Sequence, residues 1–236
     1  MKRTRILVWD LPTRVFHWLF AASFAGAFLT AESERYRDVH VALGYTVLGL
    51  LGFRLLWAFV GTRYAKLSSF AFSPKAVVAY LRSLATKHPL HYVGHNPAGS
   101  WSIYIIVALG FAAGLSGYAL RQDFGGHWLE ELHEGAANAM LAVVLVHVAG
   151  VILSSLLHRE NLARAMVSGY KRGEPGEGIG RTRWLVALAL AGSVALLWSG
   201  VLETSGKLAL PRAKPSLTAH AHHGQARSHV RAEDDD

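Results

Sequence analysis

The chain has 236 residues, of which 52% are hydrophobic and 17% charged, and a formal net charge of +8. It contains no cysteine, which excludes disulfides, thiolate-held iron–sulfur clusters, thioether-attached cofactors and cysteine nucleophiles. The basic residues sit between apolar runs rather than in one patch, a distribution that sets membrane orientation and argues against a nucleic-acid partner.

Several apolar runs reach the ~20 residues needed to cross a bilayer, so the chain reads as a membrane protein. The first 14 residues, MKRTRILVWDLPTR, carry positive charge ahead of an apolar stretch, as a secretory signal does. No small-x-small cleavage site closes that stretch, and an uncleaved first helix is expected from about Pro12 to Ala31, with Asp10 as its cap. The link SERYRD is short, so helix two, roughly Val39 to Val60, returns antiparallel beside helix one. Residues 61 to 100 are too polar to span. Within them SPKAVVAYLRSLAT places Val77, Val78, Leu81 and Leu84 at helical spacing behind Ser73 and Pro74, which predicts a surface helix over about 73–86. HPLHYVGHNPAGS is punctuated by proline and glycine and reads as loop. Helix three is expected from about Trp101 to Leu120, with Gly110, Gly114 and Gly117 giving a smooth flank for a close neighbour. Helix four follows over about Leu129 to Leu157. A polar linker leads to a fifth span, Trp184 to Leu202, and the remaining residues read as an exposed tail.

Lysine and arginine counts orient the bundle. The amino terminus through Arg14 has four, residues 61–99 have five and residues 159–183 have six, whereas the two short links share three. The positive-inside rule therefore puts the amino terminus and both long loops in the cytoplasm. Five spans place the tail on the other side, in mild conflict with its own five basic residues.

His133 and His147 lie fourteen residues apart on helix four, which separates them by ~40° in azimuth and ~21 Å in height. They share a face, near opposite boundaries of a ~30 Å apolar layer. The topology puts His17 at the inner level and His40 at the outer, so the four histidines sort by depth into His17 with His147 and His40 with His133. Two facing imidazoles close both axial positions of a haem iron and leave none open for oxygen, which makes an electron-transfer site. Arg54 follows His40 by fourteen residues and falls at the inner level, where a haem propionate would supply the anion that a buried guanidinium needs. The plainer reading gives each histidine an interhelical hydrogen bond and lets Arg54 meet backbone carbonyls; the depth pairing favours haem.

VWDLPTRVFHW, HVALGYTVLGLLGFRLLWAFVGTRYAKL, HNPAGSWS and HEGAANAMLAVVLVHVAG together resemble the bacterial cytochrome b561 family, which includes the b-type cytochrome subunits of nickel-iron hydrogenases. The likeness covers about residues 6 to 175. It implies a four-helix core with two b haems, and its ligand pattern maps onto His17, His40, His133 and His147. It also implies electron transfer between a periplasmic or membrane-attached partner, such as a hydrogenase, dehydrogenase or cytochrome c, and the quinone pool of the bacterial inner membrane.

The expected fold class is thus an all-α integral membrane protein. Residues 1–160 form the di-haem core, 161–183 a cytoplasmic linker, 184–203 the fifth transmembrane helix and 204–236 a disordered tail. Two alternatives stand beside the conduit: a stand-alone oxidoreductase using a small donor such as superoxide, and a non-redox transporter or assembly factor. His88, His91, His95, His127 and His158 read as ordinary interfacial histidines, with a propionate contact left open for His95 or His127. The tail histidines His220, His222 and His223 read as part of a flexible polar segment.

Overall fold

A computed structural model describes residues 4–86 and 89–208, with side chains through Val201. His88 and the tail beyond residue 208, with its three histidines, lie outside the described residues. The chain runs β1 (Thr4–Leu7), α1 (Leu11–Thr30), α2 (Arg37–Val60), α3 (Pro74–Leu84), α4 (Pro97–Arg121), α5 (His127–His158), α6 (Leu162–Ser168), β2 (Tyr170–Gly173) and α7 (Trp184–Leu208).

Polar caps fix where the helices begin. The Asp10 carboxylate accepts from the Thr13 N–H at 2.8 Å, with Pro12 in the first turn of α1. Ser73 caps α3 ahead of Pro74, and Asn96 accepts from the Gly99 N–H at 2.7 Å ahead of Pro97. A side-chain oxygen that satisfies a free first-turn N–H lets the helix start there, and a proline at the first position lacks the N–H that would otherwise go unmet. The Asn96 cap is why α4 begins at Pro97, four residues ahead of the start expected at Trp101. The last helix likewise runs to Leu208, past the expected limit at residue 203.

Among the described residues, four helices are long and apolar enough to cross a membrane: Glu34–Val60, Pro97–Arg121, His127–His158 and Trp184–Val201. The first helix, Leu11–Thr30, expected as the first span, is not among these four; Arg14 and His17 lie in its first two turns. It packs antiparallel along α2, and α4 packs along α5; α2 joins the two hairpins through α4, and α7 lies outside against α1 and α2. Glycines permit the closest approach between α2 and α4. A Cβ at Gly110 would lie 2.9 Å from Leu51, and one at Gly114 would lie 3.0 Å from Leu48. Helices α1 and α5 scarcely touch, although they close the same bundle. The gap between them is the cavity that matters below.

The end of the bundle that carries the basic loops is capped by a small module absent from the expected all-helical plan. Strand β1 pairs antiparallel with β2, from Thr4 opposite Gly173 to Leu7 opposite Tyr170. Ile6, Val8, Trp9, Tyr64 and Ala165 form its core. The Tyr64 hydroxyl donates to the Glu177 carbonyl at 2.8 Å, and the Ile179 N–H donates to the Leu7 carbonyl at 2.8 Å. Residues 161–183 therefore fold back onto the amino terminus rather than trailing from α5. Helix α3 also does more than lie on a surface: Tyr80 is fully buried and its hydroxyl is 3.2 Å from the Ser154 hydroxyl on α5.

Candidate functional site

The two hairpins bring four histidines to two levels. At the level of the short links, His40 opens α2 and His133 lies in the second turn of α5, with ring centroids 6.1 Å apart and planes at 75°. Two ~2 Å metal–nitrogen bonds, with ~1 Å from each nitrogen to its ring centre, give a separation of about 6 Å. The distance is therefore that of two imidazoles with room for one ion between them.

Each ring is fixed by its other nitrogen. The His40 Nδ1–H donates to the Ala27 carbonyl on α1 at 2.8 Å, and the His133 Nδ1–H donates to the Ala113 carbonyl on α4 at 2.8 Å. A carbonyl oxygen only accepts, so both imidazoles carry a proton on Nδ1, and in the neutral ring the lone pair then sits on Nε2. That is the tautomer a metal ligand needs, and the second hydrogen bond orients the ring and raises its basicity. The Ser116 hydroxyl adds a 3.5 Å contact to His133 Nδ1. Gly117 makes this possible: a Cβ there would lie 2.8 Å from His133 Cε1.

At the basic end, His17 on α1 and His147 on α5 line a cavity of about 1020 Å³ between the helices that scarcely touch. This is at the top of the range for small-molecule and cofactor sites, and its wall is mostly apolar. His17 Nδ1 is buried without a hydrogen-bond partner. Arg54 on α2 lines the same cavity and is only 6% exposed. Its Nη1 donates to the Ala65 carbonyl at 3.1 Å, and its guanidinium lies 5.2 Å from the centre of the Phe70 ring. Among the described residues no carboxylate comes within 4 Å of it. The backbone contact foreseen as an alternative for Arg54 is thus present, and an anionic partner is still wanting.

Among the described residues no three histidine, aspartate or glutamate side chains converge on one point, whereas two histidine pairs do face each other or one shared cavity. Facing imidazoles, a buried guanidinium without a carboxylate partner and an apolar slot fit a flat macrocycle that brings its own nitrogen ligands and carboxylates.

Residues outside the expected set complete the basic end. His95 precedes the Asn96 cap, so it is held against the bundle instead of ranging with its loop; its ring lies 4.7 Å from Trp9 and 5.0 Å from Phe70. Glu160 lies 3.6 Å from Lys171 Nζ and 3.5 Å from His91 Nε2, and accepts from the Arg172 N–H at 3.1 Å. Burial opposes ionisation of Glu160, but the His91 bond, the Lys171 charge and the Arg172 N–H outweigh it and hold its pKa at about 2. This buried cluster fastens β2 to the end of α5. His127 turns away to exposed Glu130 and Glu131, at 3.2 and 3.3 Å.

A family model described as prokaryotic cytochrome b561 matches residues 8–169. Among curated proteins, the chain is 26% identical over 218 residues to a probable Ni/Fe-hydrogenase B-type cytochrome subunit of Azotobacter vinelandii, covering 72% of this chain and 90% of that one. Proteins of the same description from Rhodobacter capsulatus (22% over 216 residues, 72% and 82% covered) and Cupriavidus necator (26% over 210 residues, 70% and 86% covered) are similar in the same way. No solved structure matches the chain.

Proposed function

The chain belongs to the prokaryotic cytochrome b561 family, and from that premise we propose that it is a b-type membrane cytochrome that transfers electrons across the bilayer, with one haem b at each histidine level. The observation that carries this reading is the His40–His133 pair, with rings 6.1 Å apart and both Nδ1–H groups committed to backbone carbonyls of neighbouring helices. Haem b ligated by two imidazoles supplies one-electron exchange without an open coordination position.

The chain's own residues then do three things. His40 and His133, and at the other level His17 and His147, present neutral nitrogens from helices that cannot easily move apart. The backbone carbonyls of Ala27 and Ala113 hold the outer rings in one tautomer, so little rearrangement accompanies a change of charge nearby. The apolar walls contributed by Phe16, Phe20, Val144 and Ile106 keep water from the inner level, and Arg54 offers a cation to a propionate.

The basic loops and the strand module lie at one end of the bundle, which the positive-inside rule assigns to the cytoplasm of a bacterial inner membrane. The outer pair therefore faces a periplasmic or membrane-attached donor, and the names of the relatives favour a hydrogenase for that role. Quinone in the lipid is the proposed other terminus.

Haem content tests this directly. Purified full-length protein is expected to carry two haem b, and His133→Ala and His147→Ala are each expected to carry one, with different reduced-state spectra. Two full equivalents remaining in either variant would overturn the assignment.

A further inference from the structure

The basic-end cavity has a corner that His17 and His147 leave unexplained. Arg54 is buried there and uses one N–H on the Ala65 carbonyl. Asp10, the acid whose charge reaches it, is already engaged by the Thr13 N–H at 2.8 Å, the Trp57 indole N–H at 3.1 Å and the Thr62 hydroxyl at 2.6 Å. Lys171 is taken by Glu160 and by the Tyr92 carbonyl. Beside Arg54, against the same Phe70 ring, stands His95, gripped on its other flank by Trp9. Its Nδ1 is buried and no atom of the chain completes a hydrogen bond to it. Burial, reinforced by the charges of Arg54 and Lys171, brings the His95 pKa down to about 3, so the ring is neutral and offers one N–H and one lone pair.

A buried cation with idle N–H groups and a neutral imidazole with an unmet nitrogen, on one aromatic floor, call for a ligand that is negative and accepts from two sides. A carboxylate does both. We propose that Arg54 and His95 together clamp one propionate carboxylate of the haem held between His17 and His147, with His95 the neutral donor. This rests on the reading that the inner cavity holds a haem. Trp9 and Phe70 fix the plane of the imidazole, so the clamp is rigid before the carboxylate arrives.

The test uses the full-length chain with His133→Ala, so that only the inner site fills. The haem-free protein is titrated spectrally with haem b and with its dimethyl ester, in which both carboxylates are blocked, alone and combined with His95→Leu, His95→Gln or Arg54→Leu. The parent is expected to prefer the free acid; Arg54→Leu and His95→Leu are each expected to cut that preference by about ten-fold, the effect of losing one charge-assisted hydrogen bond. His95→Gln, which keeps a donor, is expected to retain most of it, and ester affinity is expected to stay level throughout. An unchanged acid-to-ester ratio in His95→Leu, or equal loss for both haems, would overturn the clamp and leave His95 a packing residue. If the His133→Ala chain takes up neither haem, the inner-haem reading itself fails.

Discussion

At the scale of single residues, the two histidine levels differ in how completely the protein prepares them. The outer imidazoles have their Nδ1–H groups fixed by carbonyls; His17 has no such partner. The positions and depths of all four histidines were legible in the sequence, because helical geometry converts a fourteen-residue spacing into a shared face. The carbonyl acceptors were not, since they belong to neighbouring helices whose axial register the sequence does not state. Gly117→Ala tests the preparation of the outer site. Its Cβ would force the His133 ring to move and break the bond to Ala113, so the outer haem is expected to bind about two- to ten-fold more weakly, with the inner haem unchanged. Separate titration of the two haems checks this, and equal loss at both levels would contradict it. Buried titrating groups also set an acid limit. His95 is held at about 3 in the folded chain against an ordinary value near 6.5, so the stability linked to it is complete above pH 6.5 and is lost as pH falls toward 3. Glu160 acts in the same direction from its ordinary carboxylate range down to about 2. Melting in detergent is expected to decline from pH 7 to pH 4, by at most about 1.4 kcal/mol per pH unit from each group. Glu160→Gln is expected to flatten the lower part of that decline; an identical profile would show that the cluster does not govern it.

At the scale of elements, helix starts were legible at Asp10, Ser73 and Pro74, whereas the Asn96 cap and Pro97 were read as loop and the start of α4 was placed four residues late. The strands were not. Thr4–Leu7 and Tyr170–Gly173 are four residues each, and they pair across more than 160 residues of chain, a contact that no local pattern records. The same distance hid the second role of Asp10. It caps α1 and also accepts from Trp57 and Thr62 at the far end of α2, so it ties the start of one helix to the end of its neighbour. Asp10→Ala would lose a helix cap, worth ~0.5–2 kcal/mol, and leave the buried Trp57 N–H unmet at ~1–3 kcal/mol and the half-buried Thr62 hydroxyl without its partner. A loss of roughly 3 kcal/mol or more in equilibrium unfolding is expected, together with weaker retention of the inner haem, because α1 carries His17. A change below about 1 kcal/mol would mean that the carboxylate is replaced by water and does not join the helices.

At the scale of the whole molecule, two hairpins joined along α2 and α4 leave α1 and α5 apart, with a largely apolar cavity of about 1020 Å³ between them. The membrane character and the family follow from the apolar helices and from the match over residues 8–169. To the pairing read from helical depth the fold adds contact: the His40 and His133 rings lie 6.1 Å apart, and His17 and His147 line one cavity. Combined substitutions test that pairing most directly, with haem counted per chain. His40→Ala with His133→Ala is expected to leave one haem, as is His17→Ala with His147→Ala. His40→Ala with His147→Ala is expected to leave none. One full haem surviving in that crossed variant, or none in either matched variant, would contradict the account.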